Sequence, residues 1–251
     1  MPRKPGAPLR YREIADGLRR RIEEGEFPPG ARLPTERALV NEYTASPGTV
    51  RAALGALRDE GLVESRVGSG WYVRSWRPIV RNALKRLSAD QWGEGNSIWG
   101  VDIDDRELVA DGVQIEHLPA GPEIVQVLGL SESDLVWRRS RRYLVDGVPV
   151  LRSASYIPDD LAHGTRITQV DTGPGGVYAR LAEAGFKPMR FREDLRCRMP
   201  SASEMDDLQL AGSTPVVELV RYAYDATGRV VEVNRMILDA SRYLLRYDFP
   251  S

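Results

Sequence analysis

The sequence predicts an α+β chain: a small helical domain that ends in a β-hairpin, followed by a larger domain with a largely antiparallel sheet. Two observations lead to this fold class. Apolar residues recur with helical spacing up to residue 61, whereas β-rich runs interrupted by short helices dominate from residue 97 onward. The 251 residues, 42% of them hydrophobic, suffice for two modest domains. We place the first domain at 1–75, a linker at 76–96 and the second domain at 97–251.

Three helices account for most of the first domain. The first carries an apolar stripe over Tyr11–Ile22. Thr35 is a candidate N-cap for a short second helix, and Ser46 followed by Pro47 is a strong start signal for the third. Gly61 suits the left-handed conformation in which many helices end.

Two strand-like runs follow the third helix, Leu62–Arg66 and Trp71–Arg74, and the turn-forming residues Val67–Gly70 lie between them. Three helices and a hairpin form a winged helix-turn-helix, in which the third helix enters the major groove and the hairpin lies beside it as the wing. The alternative is a three-helix packing module with a solvated basic face.

The charge distribution favours the DNA-binding interpretation. Residues 1–88 carry 17 Lys and Arg against 10 Asp and Glu, so their formal charge is +7. The rest of the chain carries −8, which gives the net −1. A basic front half indicates contact with a polyanion, although two solvated surfaces of unequal charge would show the same imbalance.

The composition excludes several other classes of protein. Cys197 is the only cysteine, and His117 and His163 are the only histidines, so we expect no disulfide framework, no metal site and no cofactor. No stretch approaches the roughly 20 apolar residues that a membrane helix needs. These features predict a cytoplasmic protein without a membrane partner. The nucleophile-elbow, phosphate-loop and metal-ligand motifs of enzymes are also missing, so we predict that the chain is not an enzyme.

The first domain resembles the DNA-binding head of the GntR family of bacterial transcription regulators. The resemblance spans residues 9–74 and is carried by Tyr11, Ile14-Ala15, Leu18, Pro29-Gly30, Leu33–Arg37, Thr49–Leu54 and Glu60–Val63. It implies that Arg37, Thr49, Arg51 and Gly68 contact DNA, and the basic wing residue Arg66 joins this set. The family commonly has arginine where this chain has Pro47, so we expect base recognition to depend most on Arg51.

The residue patterns of the linker and of the second domain differ from those of the first domain. Basic residues between Arg77 and Arg86 could supplement phosphate contacts or form a solvated face. Helices are predicted at Pro122–Leu128, Val177–Ala184 and Ser203–Leu210, and Asp146-Gly147 is a hairpin signal. The predicted strands are Val109–Leu118, Leu135–Val145, Val148–Ile157, Phe191–Met199, Val216–Tyr224 and Val230–Leu238.

This second domain resembles the UTRA effector domain of the HutC subfamily, whose fold is similar to that of chorismate lyase. The resemblance is carried by Arg139, Arg141, Asp146–Pro149, Ser155–Pro158, Tyr178, Leu181, Pro215-Val216, Glu232 and Arg242-Tyr243. It implies a small-molecule effector site. Where sugar-phosphate-binding members have a second arginine, a serine and a glutamate, this chain has Tyr143, Gly176 and Ser153. We therefore expect a polar or anionic effector other than a standard sugar phosphate.

One strand of this domain concentrates the chemistry of the candidate site. Side-chain alternation puts Trp137, Arg139, Arg141 and Tyr143 on one face, where guanidinium groups could bind an anion and the rings could stack on its organic part. A charged strand facing solvent is the alternative. The glycine-rich loop 171–176 either holds an anion at a helix N-terminus or is a simple turn. The candidate effector-binding residues are Arg139, Arg141, Tyr156, Tyr178, Arg192, Glu232 and Tyr243.

Together these patterns predict a transcription regulator, expected to be a repressor, that binds double-stranded operator DNA of pseudo-palindromic sequence as a homodimer. A small polar or anionic effector in the second domain would control it. Two alternatives stay open: a constitutive DNA-binding dimer without an effector, and a DNA-anchored enzyme that converts a small molecule.

Overall fold

The computed structural model describes residues 10–66, 68–75, 77–93, 97–210 and 214–249. Their contacts divide them into two compact units, of which one ends at Arg77 and the other begins at Pro78. Residues 1–9 of the predicted first domain, and 94–96 of the predicted linker, lie outside the described residues. Among the described residues no helix is long and apolar enough to cross a membrane.

The first unit is the predicted arrangement of helices and hairpin. Thr35 and Ser46 cap the second and third helices through their side-chain oxygens, which accept hydrogen bonds from backbone N–H groups. Gly61 follows the third helix with a φ of +77°, as a left-handed C-cap requires. The described elements are α1 (Arg10–Glu23), α2 (Glu36–Glu42), α3 (Pro47–Asp59), β1 (Val63–Arg66) and β2 (Gly70–Val73).

One apolar cluster holds this unit together. Leu18, Leu39, Leu54 and Leu57 from the three helices are fully buried, and Val73 of the hairpin packs with them. In the described part of this unit, no charged side chain is among the buried residues. The basic residues therefore remain at its surface, where a polyanion can reach them.

The second unit is built on an antiparallel sheet, as predicted. The sheet strands are β4 (Leu108–Pro119), β5 (Leu135–Val145), β6 (Val148–Pro158), β7 (Arg190–Arg198), β8 (Val216–Tyr224) and β9 (Val230–Asp239). Their order in the sheet is β4-β5-β6-β9-β8-β7. Asp146 and Gly147 form the turn between β5 and β6, with φ of +52° and +75°.

Short helices pack around this sheet. The three predicted helices are present, and further short helical turns precede the sheet and follow β6. The helices are α4 (Ala83–Leu87), α5 (Ala89–Gly93), α6 (Pro122–Leu128), α7 (Asp159–Ala162), the 3-10 turn Arg166–Thr168, α8 (Gly176–Glu183) and α9 (Ala202–Leu208).

The segment predicted as a linker departs from expectation. From Pro78 onward its described residues belong to the second unit, where β3 (Ile79–Asn82) pairs in parallel with β10 (Tyr243–Arg246). Arg81 and Arg86, which we expected on a basic outer face, are only 1% and 3% exposed. Arg81 pairs with Glu193 and Arg86 with Asp102, so neither side chain contributes to a basic surface.

Candidate functional site

The second unit contains a cavity of about 440 Å³ between the sheet and the N-terminal end of α8. Its polar lining includes Arg141 of β5, Arg221 of β8, and Glu232 and Asn234 of β9, and Trp99 adds an aromatic wall. Two guanidinium groups and one carboxylate therefore face a space large enough for a small organic molecule. This combination suits an anionic ligand that also carries hydroxyl groups.

Arg221 has the most unusual environment in this cavity. Its side chain is fully buried, yet none of its three guanidinium nitrogens has a hydrogen-bond partner among the described residues. Burial by itself lowers the pKa of Arg221, but Tyr178, Glu232 and Glu193 outweigh it and the pKa is raised, so the group stays charged. A buried charge that lacks hydrogen bonds is costly. An anion in the cavity would supply them.

Glu232 is held by a chain of buried hydrogen bonds. Tyr178 Oη donates to its Oε2 at 2.7 Å, and Ser155 Oγ donates to its Oε1 at 2.6 Å. Asn234 Nδ2 donates to Ser155 Oγ at 2.9 Å, and Ser153 Oγ donates to Asn234 Oδ1 at 2.8 Å. Burial raises the pKa of Tyr178 well above its ordinary value, so its hydroxyl remains a donor. The carboxylate is thus fixed in place, with lone pairs left to accept a hydrogen bond from a ligand.

Arg141 projects from the neighbouring strand into the same space. Its guanidinium carbon lies 5.4 Å from the ring centroid of Trp99 and 5.6 Å from that of Tyr143. Its Nε has no hydrogen-bond partner among the described residues. Aromatic faces therefore position the group while leaving donors for a ligand.

The glycine-rich loop closes the cavity opposite the sheet. Gly173, Gly175 and Gly176 all have φ between +66° and +77°, which favours glycine over other residues. A Cβ on Gly173 would lie 2.8 Å from Arg166 Nη1, the end of a flexible side chain that can move aside, so the positive φ is what favours glycine at this position. Gly175 is the N-cap of α8 and provides no side chain for the first backbone N–H groups of the helix. Gly176 N–H donates to the carbonyl oxygen of Gly173 at 3.1 Å, so the helix N–H groups that an anion in the cavity could use begin at Val177.

Of the predicted effector-binding residues, Arg141, Tyr178 and Glu232 line the cavity, and the other four lie elsewhere. Arg139 is 1% exposed and donates to the backbone carbonyls of Ile167, Gln169 and Val170, so it holds the loop that precedes the glycines. Burial, together with the charge of Arg141, lowers the pKa of Arg139 to about 10.

The remaining three predicted residues are kept from the cavity by strand alternation and by distance along the sheet. Tyr156 packs on the opposite face of the sheet with the cluster around α6. Arg192 is exposed on the edge strand β7, where its guanidinium carbon lies 4.2 Å from the ring centroid of Tyr222. Tyr243 pairs with Ile79 in the β3-β10 ladder and lines a separate, smaller cavity.

The candidate DNA-binding residues lie at the surface of the first unit. Arg37, Arg51, Arg66 and Gly68 are exposed, and Thr49 is half-buried with its hydroxyl 2.8 Å from Ser46 Oγ. Arg51 Nε lies 3.4 Å from the carboxylate of Glu36, the neighbour of Arg37 in the chain.

That carboxylate also joins the helices to the wing. Glu36 accepts a hydrogen bond from Trp71 Nε1 of β2 at 3.2 Å. Arg66 Nη2 lies 2.9 Å from a carboxylate oxygen of Glu64, and its guanidinium stacks on Tyr72. Glu36 therefore links α2, α3 and the hairpin, and the basic side chains are held by exposed ion pairs that DNA phosphates could replace.

Comparison with known proteins identifies both units. The family model of bacterial regulatory proteins of the gntR family matches residues 10–73, and the UTRA domain model matches residues 105–244. The chain belongs to the GntR family. The UTRA match agrees with the HutC-type resemblance seen in the sequence.

Transcription regulators are similar to this GntR protein over nearly their whole length. The HTH-type transcriptional regulator SCO4628 of Streptomyces coelicolor is 34% identical over 98% of this chain and 94% of its own. The mannosyl-D-glycerate transport/metabolism system repressor MngR of Escherichia coli is 30% identical over 93% of this chain and 92% of its own. The crystal structure of PhnF from Mycobacterium smegmatis shares the fold, with a TM-score of 0.59, 24% identity and coverage of 95% and 99% of the two chains. SCO4628 and MngR are named as a transcription regulator and a repressor, and this agrees with the prediction that the chain is a regulator rather than an enzyme.

The sequence prediction missed Trp99, Arg221 and Asn234, which line the UTRA cavity. Arg221 had a detectable signal, because it stands between Leu219 and Ala223 on the alternation of a strand whose other inward positions are apolar. A charged residue at an inward position needs a partner or a ligand. Trp99 had no such signal, since it lies in the irregular segment before β4.

Proposed function

We propose that this GntR-family protein is a cytoplasmic repressor that binds a pseudo-palindromic operator as a homodimer. A small anionic effector enters the UTRA cavity and releases the DNA. Arg221 and Arg141 bind the anionic group of the effector, and Glu232 accepts a hydrogen bond from a hydroxyl or amine of the same molecule. The observation that carries the effector site is the buried guanidinium of Arg221, whose nitrogens lack partners among the described residues.

The charges of the side chains that line the cavity limit the class of molecule that can be the effector. Arg141 and Arg221 bring two positive charges and Glu232 one negative charge, so a ligand with one carboxylate or phosphate group offsets the excess. Hydroxylated carboxylic acids fit this charge and also offer donors to Glu232. Repression is proposed because MngR and NagR of Bacillus subtilis, two relatives of this chain, are named as repressors.

The operator is proposed to be read by α3 in the major groove, with Arg51 contacting a base and Arg37, Thr49, Arg66 and Gly68 contacting the backbone or the minor groove beside it. A two-fold DNA site calls for two heads, and for this reason we propose a homodimer.

The test is to select duplexes from a randomised library with the full-length protein and to measure the affinity of the variants for the selected site. Arg51→Ala should weaken binding by about 1–3 kcal/mol and relax discrimination between sites. Arg20→Ala, which removes an exposed arginine from α1, is the matched control and should bind normally. Undiminished specific binding by Arg51→Ala would remove that residue from the proposed readout.

A second measurement addresses the effector. Release of the selected duplex is followed while sugar acids, sugar phosphates, amino acids and neutral sugars are added to wild type and to Arg141→Ala. One anionic class should release the DNA from wild type only. Operator binding that no ligand alters would favour a constitutive dimer, and consumption of a ligand would favour an enzyme.

A further inference from the structure

Trp99 separates the UTRA cavity from the elements that follow the DNA-binding unit in the chain. It lines the large cavity with Arg141, and it lines a second cavity, of about 10 Å³, with Arg86 of α4 and Tyr243 of β10. Tyr143 stacks on the indole ring at a centroid distance of 4.5 Å. The smaller cavity has room for about one water molecule. The indole therefore cannot shift towards α4 without moving the side chains there.

Three guanidinium groups share the indole ring. The carbons of Arg86, Arg141 and Arg221 lie 5.1, 5.4 and 5.8 Å from its centroid, within the range of cation–π attraction. Two of these cations belong to the large cavity and one belongs to α4. An anion that pairs with Arg141 and Arg221 competes with the ring for them, so occupancy of the cavity changes the forces on Trp99.

Arg86 connects the ring to β3. Its Nη1 donates to Asp102 Oδ2 at 3.0 Å, whereas its Nε and Nη2 have no hydrogen-bond partner among the described residues. Asp102 Oδ1 accepts from the backbone N–H of Asn82, the last residue of β3, at 3.4 Å. The position of Arg86 thus depends on one carboxylate and on the indole, and that carboxylate also contacts β3.

We propose that Trp99 couples the large cavity to β3 and α4: an anion bound by Arg141 and Arg221 shifts the indole, and Arg86 and Asp102 pass the shift to residues 79–87. The inference rests on the proposed effector site. It adds the route by which binding of an anion at that site affects residues 79–87. Since ligands act only through differential affinity for two states, the two arrangements of Trp99 are the states that the anion distinguishes.

The experiment is amide hydrogen exchange of the full-length protein, read by mass spectrometry on the peptide that spans residues 78–88, with and without an anion. The probes are inorganic phosphate and, separately, gluconate, and their binding is measured independently by calorimetry. In wild type, the bound anion should change exchange in this peptide by about fivefold or more.

Variants separate coupling from binding. Trp99→Leu should bind the anion more weakly, because the ring lines the cavity and positions Arg141, and it should lose the response of residues 78–88 even at an anion concentration that calorimetry shows to saturate the variant. Trp99→Phe should keep part of the response because an aromatic face remains. Trp137→Leu, which removes a half-buried tryptophan outside the cavity, should respond as wild type does. Binding without any change at 78–88 in wild type, or a full response in Trp99→Leu, overturns the inference. If neither anion binds wild type, the proposed effector site itself fails.

Discussion

The two units of this regulator treat arginine in opposite ways. In the described part of the DNA-binding unit, the buried core is apolar and the charged side chains stay outside it. In the UTRA unit, Arg81, Arg139 and Arg221 are among the largest fully buried side chains. The described arginines of the first unit stay out of its buried core, whereas several arginines of the second unit are buried.

This difference follows from the size and site of the proposed ligands. A DNA backbone is too large to enter a domain, so it must be met by exposed cations whose contacts are weakened by salt. A small anion can be surrounded, and desolvated guanidinium groups bind it far more strongly. Two of the enclosed arginines have partners within the protein, Arg81 at Glu193 and Arg139 at backbone carbonyls. In Arg221, by contrast, none of the three guanidinium nitrogens has a hydrogen-bond partner among the described residues.

The largest expected effect is a loss of stability when Arg81 is replaced, and it tests whether the ion pair of Arg81 with Glu193 stabilises the fold. The side chain of Glu193 is 6% exposed, and although burial alone would raise its pKa, the hydrogen bonds and charge of Arg81 lower it. Arg81→Met leaves this carboxylate buried without its cation and should reduce the free energy of unfolding by about 3–5 kcal/mol. Urea denaturation measures the loss. Arg196→Met, at an exposed position on the same strand as Glu193, should change it by less than about 0.5 kcal/mol. Equal stability of the two variants would contradict a structural role for Arg81.

The DNA-binding unit should depend on its apolar core alone. Leu57 is fully buried on α3, so Leu57→Ala should lower the free energy of unfolding of that unit by about 2–5 kcal/mol. Arg58, an exposed residue of the same helix, is the control, and Arg58→Ala should have little effect. Far-UV circular dichroism in urea follows both variants. A loss below 1 kcal/mol at Leu57 would mean that this core is not what holds the helices.

A smaller contribution to the free energy of unfolding, that of the ion pair between Arg198 and Glu204, depends on pH. Two hydrogen bonds from Arg198 lower the pKa of Glu204 to about 2, and burial opposes this only in part. Because the folded pKa lies below the unfolded one, the stabilisation is complete above about pH 4.3 and is lost as the pH falls towards 2. The change should be about 2–3 kcal/mol. Thermal unfolding of wild type and Glu204→Gln between these limits measures it, and an identical pH dependence of the two proteins would refute the assignment.

The sequence predicted the local structure well because its signals are local. The caps at Thr35 and Ser46 and the Asp146-Gly147 turn are each decided by a few neighbouring residues. The parallel pairing of β3 with β10 could not be predicted, since two four-residue strands whose paired residues lie 164 positions apart in the chain carry no mutual pattern. The same limit applies to the site. Arg141, Tyr178 and Glu232 were predicted. The alternation of β8 marks Arg221 as an inward charged residue, but its place beside Glu232 and Asn234 depends on the pairing of β8 with β9.

The most direct test of the central claim is a thermal-shift titration of wild type and Arg221→Met with sugar acids, sugar phosphates and inorganic phosphate. A ligand that binds the folded state raises the midpoint of unfolding by mass action. We expect at least one anion to stabilise wild type. Arg221→Met should lose that response, and its stability without ligand should fall by less than that of Arg81→Met, because Arg221 makes no hydrogen bond among the described residues that the substitution would break. A variant that is strongly destabilised, or that still responds to the anion, would show that Arg221 is a structural residue and not the anchor of the effector.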